Sequence, residues 1–502
     1  MIYLAGDNNL SEECVYALTE LKKALPPGGT VRVLAQYDPA DEFLPTQRYR
    51  IRFDSPPNNP RPIARDLIDQ YPFKKENESK AAFYIRPPFG ERKERKGEGG
   101  TGDPKMLYNF IAWCVDQYPK TDHYVLIVCG HGAGIYRDFL LRDNRPDGYL
   151  TISELRKALR WMHENLKDKS GDPLVLDIFG MDVCLMSMAE VTYELREYVK
   201  IAIGSESYSP AAGWPYRQTI NQIDDAAKRA ALQQSSQTQG PKTPQTLPQL
   251  NWHWIAKKIV KEYVRFYSDY WLAGLSVSMS AIDVRKIGRL KDLVRQLADM
   301  MILELRAEAC EREKSETEKD HDYNGPGHRP KLSFADALVL AHWRAQSYNG
   351  ELYVDVVDFC NCLIPYAPPY IKEACEKLVH FITHDLVLVS CTWGRHYQYS
   401  YGISIYFPWD SLMPYYGASI SFPKRSRWVQ FLREYIAATR RAPRRYPHSL
   451  APQDDKRELH RILRENLSDA RMGSDKMGSD KMGSDKGGNP IHSMRNPPIV
   501  FI

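Results

Sequence analysis

Between Met1 and about Ser205, short apolar runs alternate with helical patterns, and this alternation sets the fold class. Strand-like runs occupy Met1–Leu4, Val31–Tyr37, Tyr124–Cys129, Val175–Gly180 and Ile201–Ser205. Helical stretches lie between them, around Ser11–Ala24, Pro104–Gln117, Ile152–Leu166 and Ala189–Tyr198. Such a pattern predicts an α/β fold, a mainly parallel sheet with helices on both faces. Ligands of such sheets bind at the carboxyl ends of the strands.

Two of those strand ends carry reactive groups. Segment 124–134 reads YVLIVCGHGAG and places His131 between glycines; segment 175–190 reads VLDIFGMDVCLMSMAE and places Asp182 and Cys184 before a helical pattern. A thiol becomes a useful nucleophile when a neighbouring imidazole takes its proton. An isolated cysteine after a strand is ordinarily a buried structural thiol, and a lone histidine on an apolar element is ordinarily a core residue. Here both stand at comparable strand ends, 53 residues apart. The Asp182-Val183-Cys184 tripeptide predicts a sulfur that faces water, with free backbone N–H groups able to stabilise an oxyanion. Gly132 lets its own N–H approach a substrate closely.

Composition narrows the alternatives. The 502 residues hold 43% hydrophobic and 26% charged residues, ordinary for a soluble chain with sizeable cores. A net charge of +5 from 68 basic and 63 acidic residues, in mixed blocks, gives no nucleic-acid footprint. No stretch approaches the ~20 apolar residues of a membrane span. The nine cysteines, including Cys114, Cys129 and Cys391 in apolar surroundings, form neither a disulfide framework nor a zinc pattern, Cys360 and Cys362 being one residue apart. No signal peptide precedes the Met1–Leu4 strand, so the expected compartment is cytoplasmic, with export open if residues precede Met1.

Further along, residues 86–103 and 311–330 read as charged loops and 233–248 as a polar insertion. Leu275–Ala281, Leu386–Thr392 and Gly402–Phe407 read as strands; Val284–Ala307 and Lys424–Ala438 read as helices. The predicted organisation is a catalytic core over 1–221, a polar linker over 222–250 and a second part of the same globule over 251–438. A basic, low-complexity tail follows over 439–502, where MGSDK repeats three times from Met472 to Lys486. A polar pentapeptide repeat cannot bury a core, so this tail is expected to be disordered.

Six segments together resemble the clostripain-like cysteine peptidases: MIYLAGDNNL at 1–10, GTGDP at 100–104, CGHGAG, DVCLMSMAE, GSE at 204–206 and YGISIYFP at 401–408. They are ordered as in that family and cover roughly residues 1–440. The resemblance implies a caspase-like three-layer αβα sandwich and an endopeptidase cutting protein or peptide substrates after basic residues. His131 matches the family's catalytic histidine and Cys184 its nucleophile. Asp182 matches the acid that selects Arg or Lys, since a desolvated cation needs a paired carboxylate. Gly132 and Cys184 N–H groups would form the oxyanion hole, and Ser205 and Glu206 would line the pocket. The chain departs from the family pattern at Ala211-Ala212, where a second acid is often found before the Gly-Trp pair, and at Ser187, where glycine is common. Maturation by cleavage after a basic residue between His and Cys would use Arg142, Lys157, Lys167 or Lys169, or a basic residue at 92–96. Arg145 is a poor site because Pro146 follows it.

The chemistry requires no cofactor, but some relatives depend on calcium, so the ion is possible in a structural or activating role. Asp143–Glu154, DNRPDGYLTISE, imitates a calcium loop, yet Arg145 occupies a ligand position. A turn at Asp147-Gly148 followed by a Thr151…Glu154 capping box is the favoured reading. The alternative to an enzyme is a catalytically silent caspase-fold binding module, against which stands the presence of both His131 and Cys184.

Overall fold

The computed structural model describes residues 1–27, 29–41, 43–71, 100–136, 140–144, 147–236, 250–270, 274–317 and 332–441. The tail from 442 onward, the basic stretch at 92–96 and most of the predicted loops at 86–103, 233–248 and 311–330 lie outside the described residues.

The strands in chain order are β1 (Ile2–Gly6), β2 (Val33–Pro39), β3 (Gln47–Ile51), β4 (Leu67–Gln70), β5 (Val125–Cys129), β6 (Leu141–Asn144) and β7 (Asp147–Leu150). They continue with β8 (Leu176–Asp182), β9 (Val199–Gly204), β10 (Val277–Asp283), β11 (Ser347–Tyr348), β12 (Tyr353–Asp355), β13 (Val387–Trp393) and β14 (Ser404–Tyr406). Nine of them form one sheet in the order β13-β10-β9-β8-β5-β1-β2-β3-β4. The five central strands, β9 to β2, run parallel. Two antiparallel strands close each edge. The predicted α/β class with a mainly parallel centre is what the chain adopts.

The helices explain why. In the first half they are α1 (Ser11–Lys22), α2 (Pro104–Gln117), α3 (Ile152–Asn165), α4 (Ala189–Glu194) and α5 (Tyr216–Ser236). The second half adds α6 (Trp252–Ser268), α7 (Ile287–Thr317), α8 (Phe334–Arg344), α9 (Val356–Leu363), α10 (Pro369–Phe381), α11 (Ser421–Arg425) and α12 (Trp428–Arg441). Successive residues of a strand face opposite sides. Accordingly Ile2 and Leu4 join the core beneath α1, α5 and α6, while Tyr3 and Ala5 join the core beneath α2, α3, α4 and α7. Three layers result, helices–sheet–helices. The starts of α2 and α3 are written locally. Asp103 accepts the Lys105 N–H ahead of Pro104, and Thr151 and Glu154 complete the predicted capping box.

Two expectations change. Residues 222–236, read as the start of a linker, are the body of α5; Ile220, Ile223 and Ala226 recur at helical spacing and bury against the core that holds α1. In the β6–β7 hairpin Asn144 pairs with Asp147, so Asp147-Gly148 open a strand rather than form the turn. Residues 145 and 146 lie outside the described residues.

The last third of the chain is sewn into the first. β10 and β13 extend the main sheet, and β11, β12 and β14 form a small sheet of their own. Met188 bridges Ser404 in parallel, and Glu190 at the start of α4 accepts the Tyr406 N–H (3.0 Å) and the Tyr416 hydroxyl (2.8 Å). Burial pushes the Glu190 carboxyl up to about 7. A folded-state pKa above the unfolded value of 4.5 means the native state holds the proton more tightly. Its contribution is therefore complete below pH 4.5 and is lost as pH rises through about 7. Glu190→Gln, which keeps an acceptor for Tyr406, should flatten this dependence. Denaturant titrations at pH 4.5 and 8 should show wild type losing roughly 2–4 kcal/mol relative to the variant across that interval.

Candidate active site

β5 and β8 lie side by side with Cys129 paired to Asp182. His131 and Cys184 each follow two residues after those partners, so one register carries both beyond the same carboxyl edge on adjacent strands. The Gly130 N–H donates to the Asp182 carbonyl at 3.3 Å, carrying the pairing one step past the strands. At Gly132 a Cβ would stand 2.8 Å from the Cys184 carbonyl oxygen and 3.1 Å from Val183 Cβ. Only glycine lets the His131 loop pass this close to the Cys184 turn.

The turn itself is strained and stitched in place. Leu185 adopts φ 62°, a left-handed conformation that costs a non-glycine residue roughly 1–3 kcal/mol. Its N–H donates to Ser207 O (3.1 Å) and the Ser187 N–H to Ser205 O (2.9 Å). The Ser187 hydroxyl donates to Gly402 O at 2.8 Å and meets the Ser280 hydroxyl at 2.8 Å. The Ser404 N–H closes the ring on Ser187 O at 2.9 Å. Ser187 thus uses its hydroxyl as a clasp that glycine would lack.

Cys184 does not face water as its strand-end position suggested: it is 3% exposed. The segment after β9 folds over it, with the Ser209 N–H 3.3 Å from Sγ. Burial pushes the thiol up to about 11. A thiol so desolvated keeps its proton unless a neighbouring base takes it. His131, half-buried, has its Nε2 2.6 Å from Asn9 Oδ1.

Asp182 is also buried. Its Oδ2 accepts the Trp214 N–H (3.0 Å) and the Tyr216 hydroxyl (2.8 Å). Burial pushes the carboxyl up to about 6, and within the described residues no cation figures among the groups acting on it. Tyr263 and Tyr267 feel its charge, and the Tyr267 hydroxyl donates to Gly213 O at 2.6 Å. Asp182 is therefore a carboxylate held by neutral donors in an aromatic surround.

Ser205 and Glu206 stand elsewhere than on a pocket wall. Ser205 is fully buried, its hydroxyl shared with Ser207 (3.0 Å) and Ser278 (3.1 Å). Glu206 accepts the Gly402 N–H at 2.8 Å, beside Asp355, which accepts the adjacent Tyr401 N–H at 2.6 Å. Burial and the facing Asp355 charge push the Glu206 carboxyl well up. The reason is topological: β9 ends against β10 and the 401–404 segment, so these side chains point into the joint between the two parts of the chain. Asp355 also caps α9 through the Asp358 N–H at 2.8 Å.

Glu154, the last residue of the calcium-like loop, is occupied by capping, accepting both the Thr151 N–H (3.0 Å) and hydroxyl (2.8 Å). Among the described residues no cluster of three or more His, Cys, Asp or Glu is arranged to hold a metal. All nine cysteines are free thiols. No helix among the described residues is long and apolar enough to cross a membrane. Sequence reasoning missed Asn9, Ser209 and Tyr216. Asn9 alone carried a signal, since it follows β1 on the same carboxyl edge.

The family model described as the clostripain family, peptidase C11, matches residues 2–435, and the chain belongs to that family of cysteine-type peptidases. Clostripain of Hathewaya histolytica is 26% identical over 212 residues, 39% of this chain and 35% of that protein, so the match spans about a third of the relative's length. Two solved structures share the fold. A secreted C11 cysteine protease of Bacteroides thetaiotaomicron, in complex with an irreversible peptide inhibitor, aligns at TM-score 0.54 and 16% identity, covering 85% of this chain and 98% of that one. An inactive zymogen C11 protease of Parabacteroides distasonis aligns at 0.50 and 18%, covering 86% and 95%.

Gly213 offers a direct test of this packing. It has φ +69°, and a Cβ there would lie 2.7 Å from Asp182 Oδ2. Gly213→Ala should cost more than about 1 kcal/mol in urea denaturation. Asn at this position tolerates the backbone conformation but not the contact, so Gly213→Asn should not recover the loss.

Proposed function

We propose that this chain is an endopeptidase cutting after Arg, and also after Lys, through a His131–Cys184 dyad and an acyl-enzyme. The observation that carries the dyad is the β5–β8 register, which sets both residues two positions beyond a paired Cys129 and Asp182. The support for a basic preference is Asp182, a buried carboxylate without a cation two residues before the nucleophile. An incoming guanidinium or ammonium would supply that missing charge.

In this reading Sγ of Cys184 attacks the carbonyl carbon after the basic residue while the imidazole takes the thiol proton. The oxyanion is met by the N–H groups of Gly132 and Cys184. The carbon–nitrogen bond then breaks, the imidazolium gives its proton to the leaving amine, and a thioester remains. Water, deprotonated by the same imidazole, attacks the thioester; the new carboxyl end leaves and the thiol is restored. Every step balances with side chains, backbone N–H groups and water, so the chemistry requires no cofactor; calcium is assigned no step. Ser205 and Glu206 act in the framework behind Gly402 and Ser187.

Fluorogenic peptides ending in Arg or Lys test the proposal, with and without added calcium. Wild type should release both fluorophores, and Cys184→Ala and His131→Ala should fall by at least roughly 1,000-fold. Absence of thiol-dependent cleavage under either condition would sink the reading. Asp182→Asn should lower kcat/KM for the Arg peptide by roughly 30- to 1,000-fold, the loss on truncating one partner of a buried charge pair. For wild type, kcat/KM on Arg peptides should decline as pH drops through about 6, where Asp182 takes up a proton. A limb unchanged in Asp182→Asn would remove the pocket assignment and leave the dyad standing.

A further inference from the structure

We propose that Asn9 is a positioning residue that fixes the orientation and tautomer of the His131 imidazole. The inference rests on the reading of His131 and Cys184 as a dyad. Asn9 Oδ1 lies 2.6 Å from His131 Nε2. An amide oxygen accepts and never donates, so this contact requires the proton to be on Nε2. A neutral imidazole with Nε2 protonated presents a basic Nδ1. In the proposed dyad that nitrogen would receive the Cys184 proton. When the ring becomes an imidazolium, Nε2–H keeps its acceptor, so the charge formed during attack is met without any rearrangement.

The turn that presents Asn9 is built to hold a fixed position. β1 is the parallel neighbour of β5, with Leu4 opposite Cys129, so its carboxyl end emerges beside the histidine loop. Asn8 is buried, and its amide donates to Ala5 O (2.9 Å) and to Arg142 O (3.1 Å) in β6. The Asn8 Oδ1 accepts the Leu10 N–H at 2.9 Å, an Asx turn that aims the next side chain. The Asn144 N–H anchors the same turn through Asp7 O at 2.9 Å. Asn9 is itself exposed, so its side chain contributes little to the core. Buried Asn8 thus carries the turn, and exposed Asn9 is left to meet the imidazole.

The neutrality of asparagine has a chemical reason here. A carboxylate at this position would raise the imidazole pKa and keep it protonated at the pH where it must act as a base. An amide orients the ring without bringing that charge.

The test uses the full chain with Asn9→Ala and Asn9→Asp, and two readouts. The first is kcat and KM on an Arg peptide; the second is the pH dependence of Cys184 alkylation by iodoacetamide, followed by mass spectrometry of the Cys184 peptide. Asn9→Ala should lower kcat by roughly 10- to 100-fold with KM within about twofold, part of the 100- to 10,000-fold that general base catalysis supplies. Alkylation of Cys184 between pH 7 and 8 should slow by a comparable factor while the melting temperature stays unchanged. Asn9→Asp should restore orientation and move the acid limb of both profiles upward by about one pH unit. Unchanged kcat and an unchanged alkylation profile in Asn9→Ala would overturn the proposal, as would Asn9→Asp behaving like Asn9→Ala. If wild type cleaves no peptide but alkylation responds to Asn9 as stated, the peptidase reading fails and the positioning role stands.

Discussion

One backbone pairing carries the site: Cys129 against Asp182 between β5 and β8. A parallel ladder fixes how far each strand extends relative to its neighbour, and strands lie only about 4.8 Å apart. A shift by one residue would turn every side chain of β8 to the opposite face. The apolar contents of the two faces, Phe179 and Met181 on one and Ile178 on the other, forbid such a slip. The geometry of the thiol and imidazole is thus set by burial far from either reactive atom.

Around this pairing the chain concentrates buried acids. Asp182, Glu190, Glu206 and Asp355 are all enclosed, and burial raises each above its ordinary range. Their partners are mostly neutral donors: backbone N–H groups of Trp214, Gly402, Tyr401 and Tyr406, and tyrosine hydroxyls. Such donors satisfy an acid without neutralising it. Asp182 differs from the rest in lying two residues before Cys184 at the carboxyl edge of the sheet. Glu206 and Asp355 face one another, and each accepts one of the adjacent N–H groups at 402 and 401.

The alternating runs of the first 205 residues disclosed the parallel centre because buried strands and amphipathic helices leave strong periodic marks. The antiparallel edge was hidden. β3 reads QRYRI, yet Arg48 is buried, donating to Gln36 Oε1 at 2.9 Å and stacking over Trp113. A charged residue buried through tertiary partners leaves no such mark in the local sequence. The positions of His131 and Cys184 at adjacent strand ends were legible for the same reason as the sheet. The cover over Cys184 was not, because it comes from the segment after β9. Nor was the framework role of Glu206, which depends on Asp355 and Gly402, far along the chain. Long-range contacts of that kind have no local pattern.

The Met188–Ser404 bridge bears on what the smallest competent unit of this chain can be. The acceptors and donors that restrain Ser187 belong to Gly402 and Ser404, and Tyr406 secures the helix that follows. A fragment ending with the parallel strands would contain the histidine and the cysteine but not the fasteners of their turn. The turn that holds Leu185 in its left-handed conformation would then lose the bonds that Gly402 and Ser404 supply. The histidine and the cysteine alone therefore do not bound the module: the turn that carries Cys184 is completed by residues as far along as β14.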